Sequence, residues 1–359
     1  MRLTRLHIEN LRNIAVVDLA LAPGLNVFVG ANGAGKSSIL EAAFLLSHAQ
    51  SFRAGSVDDL IRRGQVRMAV AATHTHTHGE KRIALIRENS HWNARIDHTD
   101  APQISSVIRE VTVVCFEPGS HELISGAGRG RRGFLDWGVF HVEHAFLAAA
   151  KRYRRVLHQR NAALKRTAGD DELDVWDIEL ARAAESIEQM RGDYFARFAP
   201  RLVETLGQFL PELGDSAIEW ECGWSQDIGM QKVLMQRRAQ DRARGHTSRG
   251  PHRADWTIRF ARAPQREHLS RGQEKLCALA CVLAQARVHA DACGEWPVIA
   301  LDDFGSELDL DHQRRVLEWL RQGCEQVLIS GVEVPDALRH ESATPRVFHV
   351  EHGGLHGLL

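Results

Sequence analysis

The segment Gly30-Ala31-Asn32-Gly33-Ala34-Gly35-Lys36-Ser37 decides the fold of this 359-residue chain. It has the GxxxxGK[ST] form of a Walker A loop, in which glycines let successive backbone amides turn inward around phosphate groups. The apolar stretch 25–29 predicts a buried strand before the loop, and the residues up to Leu46 predict a helix after it. Such a helix directs its unpaired amides and its positive dipole end at the same phosphates. We therefore expect a nucleotide-binding α/β domain.

Two side chains of this segment have predicted roles of their own. Lys36 would place a point charge on the terminal phosphates, and the Ser37 hydroxyl would bind Mg²⁺. A chance glycine-rich turn is the alternative, but the strand before the loop and the helix after it disfavour that alternative. The residues expected to bind the nucleotide here are Gly30, Ala31, Asn32, Gly33, Ala34, Gly35, Lys36, Ser37 and Ser38.

A candidate Walker B motif, Val298-Ile299-Ala300-Leu301-Asp302-Asp303, lies far along the chain. An apolar strand that ends in two carboxylates suits this role. Asp302 would hold Mg²⁺ directly or through water, and Asp303 would orient or deprotonate the attacking water. Alone the pattern is weak, because an aspartate after a strand also often caps a helix. Together with the Walker A loop it predicts an ATPase whose catalytic residues are Lys36, Asp302 and Asp303.

The segment Leu269-Ser270-Arg271-Gly272-Gln273 precedes a predicted helix, 274–286. Ser270 and Gln273 have capping-box spacing, so a plain helix start is one interpretation. An anion-binding helix terminus is the other. The segment resembles the signature motif of ABC-type ATPases, and 304–309 resembles their D-loop. The resemblance implies that Ser270, Gly272 and Gln273 bind the γ-phosphate of ATP held by a second protomer.

The helical insertion and four short segments narrow the resemblance. The long helical insertion between the Walker A loop and the signature disfavours a transporter subunit, and it is too short for an extended coiled-coil arm. Segments 9–13, 118–136, 250–255 and 306–309 are similar to motifs of the RecF family, an SMC-like branch of the ABC-type ATPases. The resemblance covers nearly the whole chain. It implies that Arg12 and Asn13 also contact the nucleotide.

The resemblance implies a function as well. We expect a weak, DNA-stimulated ATPase of recombinational repair and replication, connected to the SOS response, that forms an ATP-dependent homodimer. Its expected ligands are ATP, Mg²⁺, double-stranded DNA and single-strand/double-strand junctions, and its expected partner is RecR, with RecO and RecA downstream. The alternative is an ABC-type ATPase subunit of a transporter or of a defence or nuclease complex.

Three departures from the ABC pattern point to slow hydrolysis. No histidine follows the apolar stretch 327–329, where Ser330 stands instead. Gln65 and Gln103 are only weak candidates for a Q-loop glutamine. The second Walker B acid, Asp303, is one methylene shorter than the glutamate of many relatives. We therefore expect the ATP-bound dimer to be the working state.

The predicted organisation is an ATPase head with an inserted, mainly helical lobe. The head comprises 1–118 and 246–359, with a mixed sheet and flanking helices, and the lobe comprises 119–245. Alternating polar and apolar residues predict strands at 2–8 and 15–21 and two or three edge strands within 66–98. The alternating Thr and His residues of 73–78 favour a solvated edge strand over a metal site.

The charge of the chain is balanced overall but segregated along the sequence. It has 45 Lys and Arg against 46 Asp and Glu, a net charge of −1. Segments 129–166 and 237–253 are basic, and 170–188 between them is acidic. A basic helix can simply be a solvated face, but in this family a sequence-independent phosphate contact is the better interpretation. The DNA-binding candidates are Arg131, Arg132, Lys151, Arg152, Arg154 and Arg155.

The cysteine content and the apolar runs indicate where in the cell the protein is expected. The six cysteines form no CxxC pair, which disfavours a zinc ribbon or a thioredoxin-like site and suits reduced thiols in the cytoplasm. The longest apolar run, 276–286, is interrupted by Gln285 and is too short to span a bilayer. We expect a cytoplasmic protein with no membrane partner.

Overall fold

The computed structural model describes residues 1–53, 56–76, 79–339 and 345–357 and divides into two compact units. Unit 1 comprises Met1–His121 and Arg271–Leu359, and unit 2 comprises Glu122–Ser270. The strands are β1 (Arg2–Leu11), β2 (Ile14–Ala20), β3 (Gly24–Val29), β4 (Arg67–His76), β5 (Gly79–Glu88), β6 (His91–Ile96), β7 (Thr99–Asp100), β8 (Val113–Phe116), β9 (Ser216–Glu221), β10 (Asp255–Phe260), β11 (Val298–Leu301), β12 (Gln326–Gly331), β13 (Arg346–Glu351) and β14 (Gly354–Gly357). The helices are α1 (Lys36–His48), α2 (Ile104–Glu110), α3 (Glu122–Ser125), α4 (Gly128–Val142), α5 (Phe146–Lys165), α6 (Asp170–Phe209), α7 (Met230–Arg244), α8 (Arg271–Cys293), α9 (Phe304–Glu307) and α10 (Leu310–Leu320).

The first sheet of unit 1 carries the predicted nucleotide motifs. Its strand order is β14-β13-β3-β12-β11-β8, and all of its strands run parallel except β14, which pairs antiparallel with β13. Every residue of β11 and β12 is buried, as expected for central parallel strands. Since the carboxyl ends of parallel strands meet at one edge, the loops after β3, β11 and β8 come together there. The mixed sheet predicted from the sequence is present.

The second sheet of unit 1 corrects the prediction for 66–98. It is antiparallel, in the order β2-β1-β4-β5-β6-β7. The predicted strands form, but β4 lies between β1 and β5 and is therefore interior. Its side chains are mostly buried on both faces, so the expectation of a solvated edge strand at Thr73 to His76 is wrong. Thr77 and His78 of the same run lie outside the described residues.

Helix α1 lies between the two sheets. It packs against β1, β4 and β5 of one sheet and against β8, β11 and β12 of the other. Ten of its thirteen residues are buried, including Ile39, Leu40 and Leu45. A helix that is covered on nearly all sides has no polar face, which explains its mostly apolar sequence after the Walker A loop. The core thus fixes the helix that follows the loop.

Helix α8 is longer than the sequence analysis expected. It spans 23 residues and, by length and composition alone, is the one helix of the described residues that could cross a membrane. The expectation that this region is too short was therefore wrong, because the helix continues through polar residues on both sides of the apolar run. Its most apolar stretch is 72% buried within the protein, and α8 packs against β8 of its own unit. Packing in a protein core explains its composition.

Unit 2 is the predicted insertion, and its helices are α3 to α7. The expected break between two long helices lies between α5 and α6, and α6 runs for 40 residues with Pro200 inside it. The predicted boundary at 245/246 is corrected to Ser270/Arg271. The reason is pairing: β10 forms an antiparallel ribbon with β9, so the segment 246–270 belongs to the insertion. The first boundary, predicted at 118/119, lies at His121/Glu122.

Candidate nucleotide-binding site

The loop between β3 and α1 has a backbone that requires glycine. Gly30, Gly33 and Gly35 have φ of 151°, 79° and 114°, in the left-handed region that side chains disfavour. A Cβ on Gly30 would lie 2.2 Å from the carbonyl oxygen of Val350 in β13. The neighbouring strand therefore excludes any side chain at this position, independently of the nucleotide.

Lys36 begins α1 and is 5% exposed. Its ammonium Nζ donates hydrogen bonds to the carbonyl oxygens of Gly30 at 2.8 Å and Ala31 at 2.9 Å. An ammonium has three donors and no acceptor, so the hydrogen bonds to the loop carbonyls stabilise this buried cation in place of water. The lysine is thus held inside the turn of the loop, where an incoming phosphate can compete with two neutral acceptors.

The turn after β1 supports the loop from outside. Asn13 donates from Nδ2 to the carbonyl oxygen of Gly33 at 2.9 Å, and its Oδ1 lies 3.5 Å from the Ser38 hydroxyl. Arg12 makes a two-point ion pair with Glu41 of α1, at 2.9 and 3.0 Å, and Glu41 is fully buried. The structure therefore gives Arg12 and Asn13 positioning contacts. Their contact with the nucleotide stays a prediction.

Asp302 follows β11 at the same edge and is 3% exposed. The Ser330 hydroxyl donates to its Oδ1 at 2.5 Å, and the Ser37 side chain also hydrogen-bonds it. Burial raises the pKa of the Asp302 carboxyl, while the bonds from Ser330 and Ser37 act in the opposite direction. The Walker A serine and the Walker B aspartate are therefore in contact, although they lie far apart in sequence.

Asp303 adopts φ of 51° and precedes α9. Its amide donates to the Ser330 hydroxyl at 2.9 Å, and its side chain makes no capping bond to α9. The helix-cap alternative for this aspartate therefore lacks its defining bond. Its role toward an attacking water stays a prediction.

The pair of Ser37 and Asp302 fits the Mg²⁺ ion that the motifs imply. A hydroxyl and a carboxylate are hard oxygen donors of the kind Mg²⁺ prefers, and they usually act together with substrate phosphates. The contact between the two side chains places both donors at one point of the sheet edge. These two residues would hold the ion.

Sequence reasoning missed two residues of this edge. Ser330 was noted only as a missing histidine, yet its single hydroxyl serves both Walker B aspartates. Glu117 follows β8, the strand beside β11, and burial raises the pKa of its carboxyl against the bonds from Gly119 and Ser120. The signal that could have found both is their position directly at or after an apolar strand.

The signature segment spans the division of the chain into units. Ser270 is the last residue of unit 2, and Gly272 lies in the first turn of α8; both are exposed. Lys275 of α8 forms an ion pair with Glu307 of the D-loop segment at 2.5 Å. The signature helix and the D-loop are thus joined within unit 1. Contact of Ser270, Gly272 and Gln273 with a second protomer's nucleotide stays a prediction.

Two of the DNA-binding candidates have internal roles. Arg131 is 6% exposed and binds both carboxylate oxygens of Asp255, at 2.7 and 2.9 Å, with further bonds to carbonyls of 123–126. Arg132 donates to the carbonyl oxygen of Ala254 at 2.6 Å. Arg131 is therefore removed from the candidate DNA surface, because its guanidinium is committed to the fold of unit 2.

The charge segregation along the sequence is largely cancelled in the fold. Arg160, which was counted in the basic segment, is fully buried and pairs with Asp177 and Asp241 at 2.6 and 2.8 Å. Arg238 and Arg242 of the second basic segment pair with aspartates at the start of α6, which belong to the acidic segment. The basic and acidic runs are thus partners inside unit 2, and the sequence sum of charges overstates the exposed positive surface.

The remaining DNA candidates lie on one exposed helix. Lys151, Arg152, Arg154 and Arg155 of α5 are all exposed. Helical spacing puts Lys151, Arg154 and Arg155 on one face, because residues three and four apart are neighbours. Arg152 pairs with Glu179 of α6 at 2.7 Å, so its charge has a partner within unit 2. Three cations on a common face are left as the candidate phosphate contact.

Known proteins share this sequence over almost its whole length. The family model described as RecF/RecN/SMC N terminal domain matches residues 2–354. The DNA replication and repair protein RecF of Stenotrophomonas maltophilia is 45% identical over 358 residues, which cover 98% of this chain and 98% of that protein. RecF of Xanthomonas euvesicatoria pv. vesicatoria is 46% identical over 98% of each chain, and RecF of Chromohalobacter salexigens is 37% identical over 99% of each chain.

Solved structures share the fold. The recombination mediator protein RecF with ATP aligns with a TM-score of 0.89 at 24% identity, covering 99% of this chain and 97% of that chain. An Smc head bound to the C-terminal winged-helix domain of ScpA aligns with a TM-score of 0.59 at 16% identity, covering 100% and 98%. The predicted ABC-type ATPase head with an inserted lobe is therefore confirmed. By its family model and its relatives, this chain belongs to the RecF family.

Proposed function

We propose that this protein is an ATP-dependent DNA-binding protein of recombinational repair and replication; its relatives are named DNA replication and repair protein RecF. The observation that carries the proposal is the contact of Ser37, Asp302 and Ser330 at the edge of the parallel sheet. It unites the Walker A loop, the Walker B strand and the strand between them in one site. The length match to RecF relatives favours this function over a transporter or nuclease subunit.

ATP binding would exchange the internal contacts of the loop for contacts with phosphate. Lys36 gives up two neutral carbonyl acceptors for charged oxygens, and hydrogen bonds to charged groups are the stronger kind. The exposed Ser270 and Gly272 of a second copy would complete the coordination of the γ-phosphate, which ADP lacks. ATP would thus favour a homodimer, and hydrolysis would release it.

Hydrolysis itself is proposed to be slow. Mg²⁺, held by Ser37 and Asp302, would neutralise charge on the phosphates. Burial raises the pKa of Asp302 and therefore opposes its ionisation. Part of the free energy of Mg²⁺ binding would offset the cost of keeping this carboxylate charged. The side chain of Asp303 is one methylene shorter than that of glutamate, which shortens its reach toward a water. We infer stimulation by DNA from the dimeric working state.

DNA would be bound through phosphates rather than bases. The face of Lys151, Arg154 and Arg155 offers cations that suit phosphates, and no known base-reading motif is recognisable in the sequence. Binding is therefore proposed to be independent of sequence and selective for structure, with single-strand/double-strand junctions as the preferred target. RecR is the proposed protein partner, and the six free cysteines suit a cytoplasmic location.

The dimer is tested by sedimentation of the full chain with a non-hydrolysable ATP analogue. Wild type should shift from monomer to dimer, and Lys36→Ala and Ser270→Arg should stay monomeric. Lys165→Ala and Ser225→Arg change exposed residues of the same types elsewhere and should dimerise like wild type. Wild type that remains monomeric at saturating analogue, with and without duplex DNA, would contradict the proposal.

The DNA surface is tested by the salt dependence of duplex affinity. Each phosphate contact adds about 0.9 to the slope of log affinity against log salt. The triple substitution of Lys151, Arg154 and Arg155 by alanine should reduce the slope by roughly two to three. Alanine at three exposed arginines of unit 1, Arg314, Arg315 and Arg321, is the charge-matched control and should leave it unchanged. Equal slopes for both triple variants would remove α5 from the DNA surface.

A further inference from the structure

A cluster of three potential metal ligands lies in unit 1, in the second sheet. His74 and His76 of β4 and Glu110, the last residue of α2, place one ligand atom each within 4.8 Å of the others. Neither the Walker motifs nor the signature includes any of these residues. The cluster therefore requires an explanation separate from nucleotide binding.

The alternating Thr and His sequence of β4 produces this arrangement. Alternate residues of a strand point to the same face. Met68, Val70 and Ala72 belong to the hydrophobic core, so His74 continues the core-facing row and His76 ends it. Helix α2 packs on β5 and β6, which brings its last residue to the end of that row. The third ligand thus comes from a different element, which sequence spacing alone did not reveal.

His74 lacks the hydrogen bonds that a buried imidazole normally makes. Its residue exposure is 0%, and neither Nδ1 nor Nε2 has a partner among the described residues. Leaving buried polar atoms unsatisfied is costly, and such a group calls for a reason. Burial lowers the pKa of His74 to about 4, so the ring is neutral near pH 7 and carries a lone pair. A neutral imidazole is the form that binds metal ions.

The other two ligands already contact charged groups, one that supports a metal site and one that competes with it. Glu295 contacts Nδ1 of His76 at 2.9 Å, which orients the ring and leaves Nε2 available. A carboxylate behind a histidine is the usual outer support of a metal-binding imidazole. Lys81 pairs with Glu110 at 2.8 Å and lies opposite His74 in the pairing of β4 with β5. The Lys81 ammonium is a positive charge next to the cluster. It occupies the position in which the Glu110 carboxylate would compensate the charge of a bound metal ion.

We propose that His74, His76 and Glu110 bind a divalent transition-metal ion, Zn²⁺, with water as the fourth ligand. Two imidazole nitrogens and one carboxylate oxygen form a borderline donor set that suits Zn²⁺ and not Mg²⁺. Zinc ligands lie roughly 2 Å from the ion, so atoms 4.8 Å apart need to approach one another by about 1.5 Å, which rotation of the partly exposed His76 and Glu110 side chains allows. The ion would tie the end of α2 to β4 and would displace Lys81 from Glu110.

The experiment is titration of the nucleotide-free full chain with Zn²⁺, with stoichiometry from elemental analysis and affinity from chelator competition. Wild type is expected to bind one ion tightly and to melt at a higher temperature with Zn²⁺ than without it, whereas Mg²⁺ has no such effect. Glu110→Gln should weaken Zn²⁺ binding at least tenfold. Lys81→Met should tighten it several-fold, because it removes the competing cation. His91→Gln, at an exposed histidine of the same sheet, is the matched control and should bind like wild type.

His74→Leu separates a metal site from a plain core histidine. Without zinc it should be as stable as wild type or more stable, since no nitrogen is left unsatisfied, and it should lose the zinc-dependent rise in melting temperature. Substitution of zinc by Co²⁺ should give the visible bands of a four-coordinate site without a sulfur charge-transfer band. Failure of wild type to bind zinc, equal zinc affinity of wild type and Glu110→Gln, or a cysteine signature in the cobalt spectrum would each overturn the proposal. If His74→Leu does not fold, the Glu110 and Lys81 variants decide.

Discussion

Replacement of Ser330 by alanine tests whether this residue controls the charge of the Walker B carboxylate. In the structure its hydroxyl donates to Asp302 at 2.5 Å and accepts from the amide of Asp303 at 2.9 Å. Burial already raises the pKa of Asp302, and the Ser330 bond is the first of the effects that lower it. Loss of the hydroxyl therefore raises this pKa further, and the protonated form, which cannot hold Mg²⁺, extends to higher pH.

The size of the effect follows from the type of bond. A hydrogen bond to a charged group contributes about 1.5–3 kcal/mol. Because each factor of ten in proton affinity corresponds to about 1.4 kcal/mol, Asp302 should bind its proton about ten- to hundredfold more tightly in the variant. The acid limb of Mg²⁺-dependent ATP hydrolysis should then move to higher pH by about one to two pH units. Hydrolysis at alkaline pH should change much less.

The assay is steady-state ATP hydrolysis across the acid range, with Mg²⁺-dependent binding of a fluorescent nucleotide as a second readout. Ser47→Ala is the matched control, because it removes another fully buried serine hydroxyl, one that accepts from the amide of Val113. Ser330→Thr keeps a hydroxyl and should restore part of the wild-type profile. Acid limbs that coincide in wild type and Ser330→Ala would refute the reasoning, as would an equal shift in Ser47→Ala.

Three further substitutions test the assignments within the two units. Arg160→Leu should lower the free energy of unfolding by about 3 kcal/mol or more in a urea titration, because Asp241 is left buried without its cation and Asp177 keeps only Arg238. Arg131→Ala should lower the melting temperature and leave the salt dependence of DNA affinity unchanged; a shallower slope with unchanged stability would return Arg131 to the DNA surface. Gly30→Ala should abolish nucleotide binding measured by calorimetry, since its Cβ meets a strand carbonyl at 2.2 Å; wild-type affinity would show that the loop can relax.

The sequence was most informative where local motifs coincide with local structure. The loop 30–37 predicted its preceding strand, its glycine-dependent turn and α1, because phosphate binding and backbone geometry restrict the same residues. The candidate Walker B aspartates were also identified from a local pattern, an apolar strand that ends in two carboxylates. The signature segment and the inserted lobe were identified from the family resemblance. From its residues alone, the lobe could be recognised only as helical.

Interactions between distant segments could not be predicted from the sequence. The strand pairing of β9 with β10 moved the end of the insertion from 245 to Ser270. Likewise, the sum of charges in a segment does not say which charges pair: Arg160 and Arg238 were counted in the basic segments, whereas both pair with Asp177 of the acidic segment. Both errors come from tertiary contacts that override local composition.

The chain enters and leaves unit 2 next to residues of the proposed nucleotide site. Glu117 stands just after β8, which pairs with the Walker B strand, and unit 2 begins shortly afterwards at Glu122. Unit 2 ends at Ser270, the signature serine, and α8 follows at once. Movement of these two segments on ATP binding would therefore act through the backbone on both ends of the unit that carries the candidate DNA surface of α5. Covalent continuity thus offers a route by which the γ-phosphate could change DNA affinity without a direct contact between nucleotide and DNA.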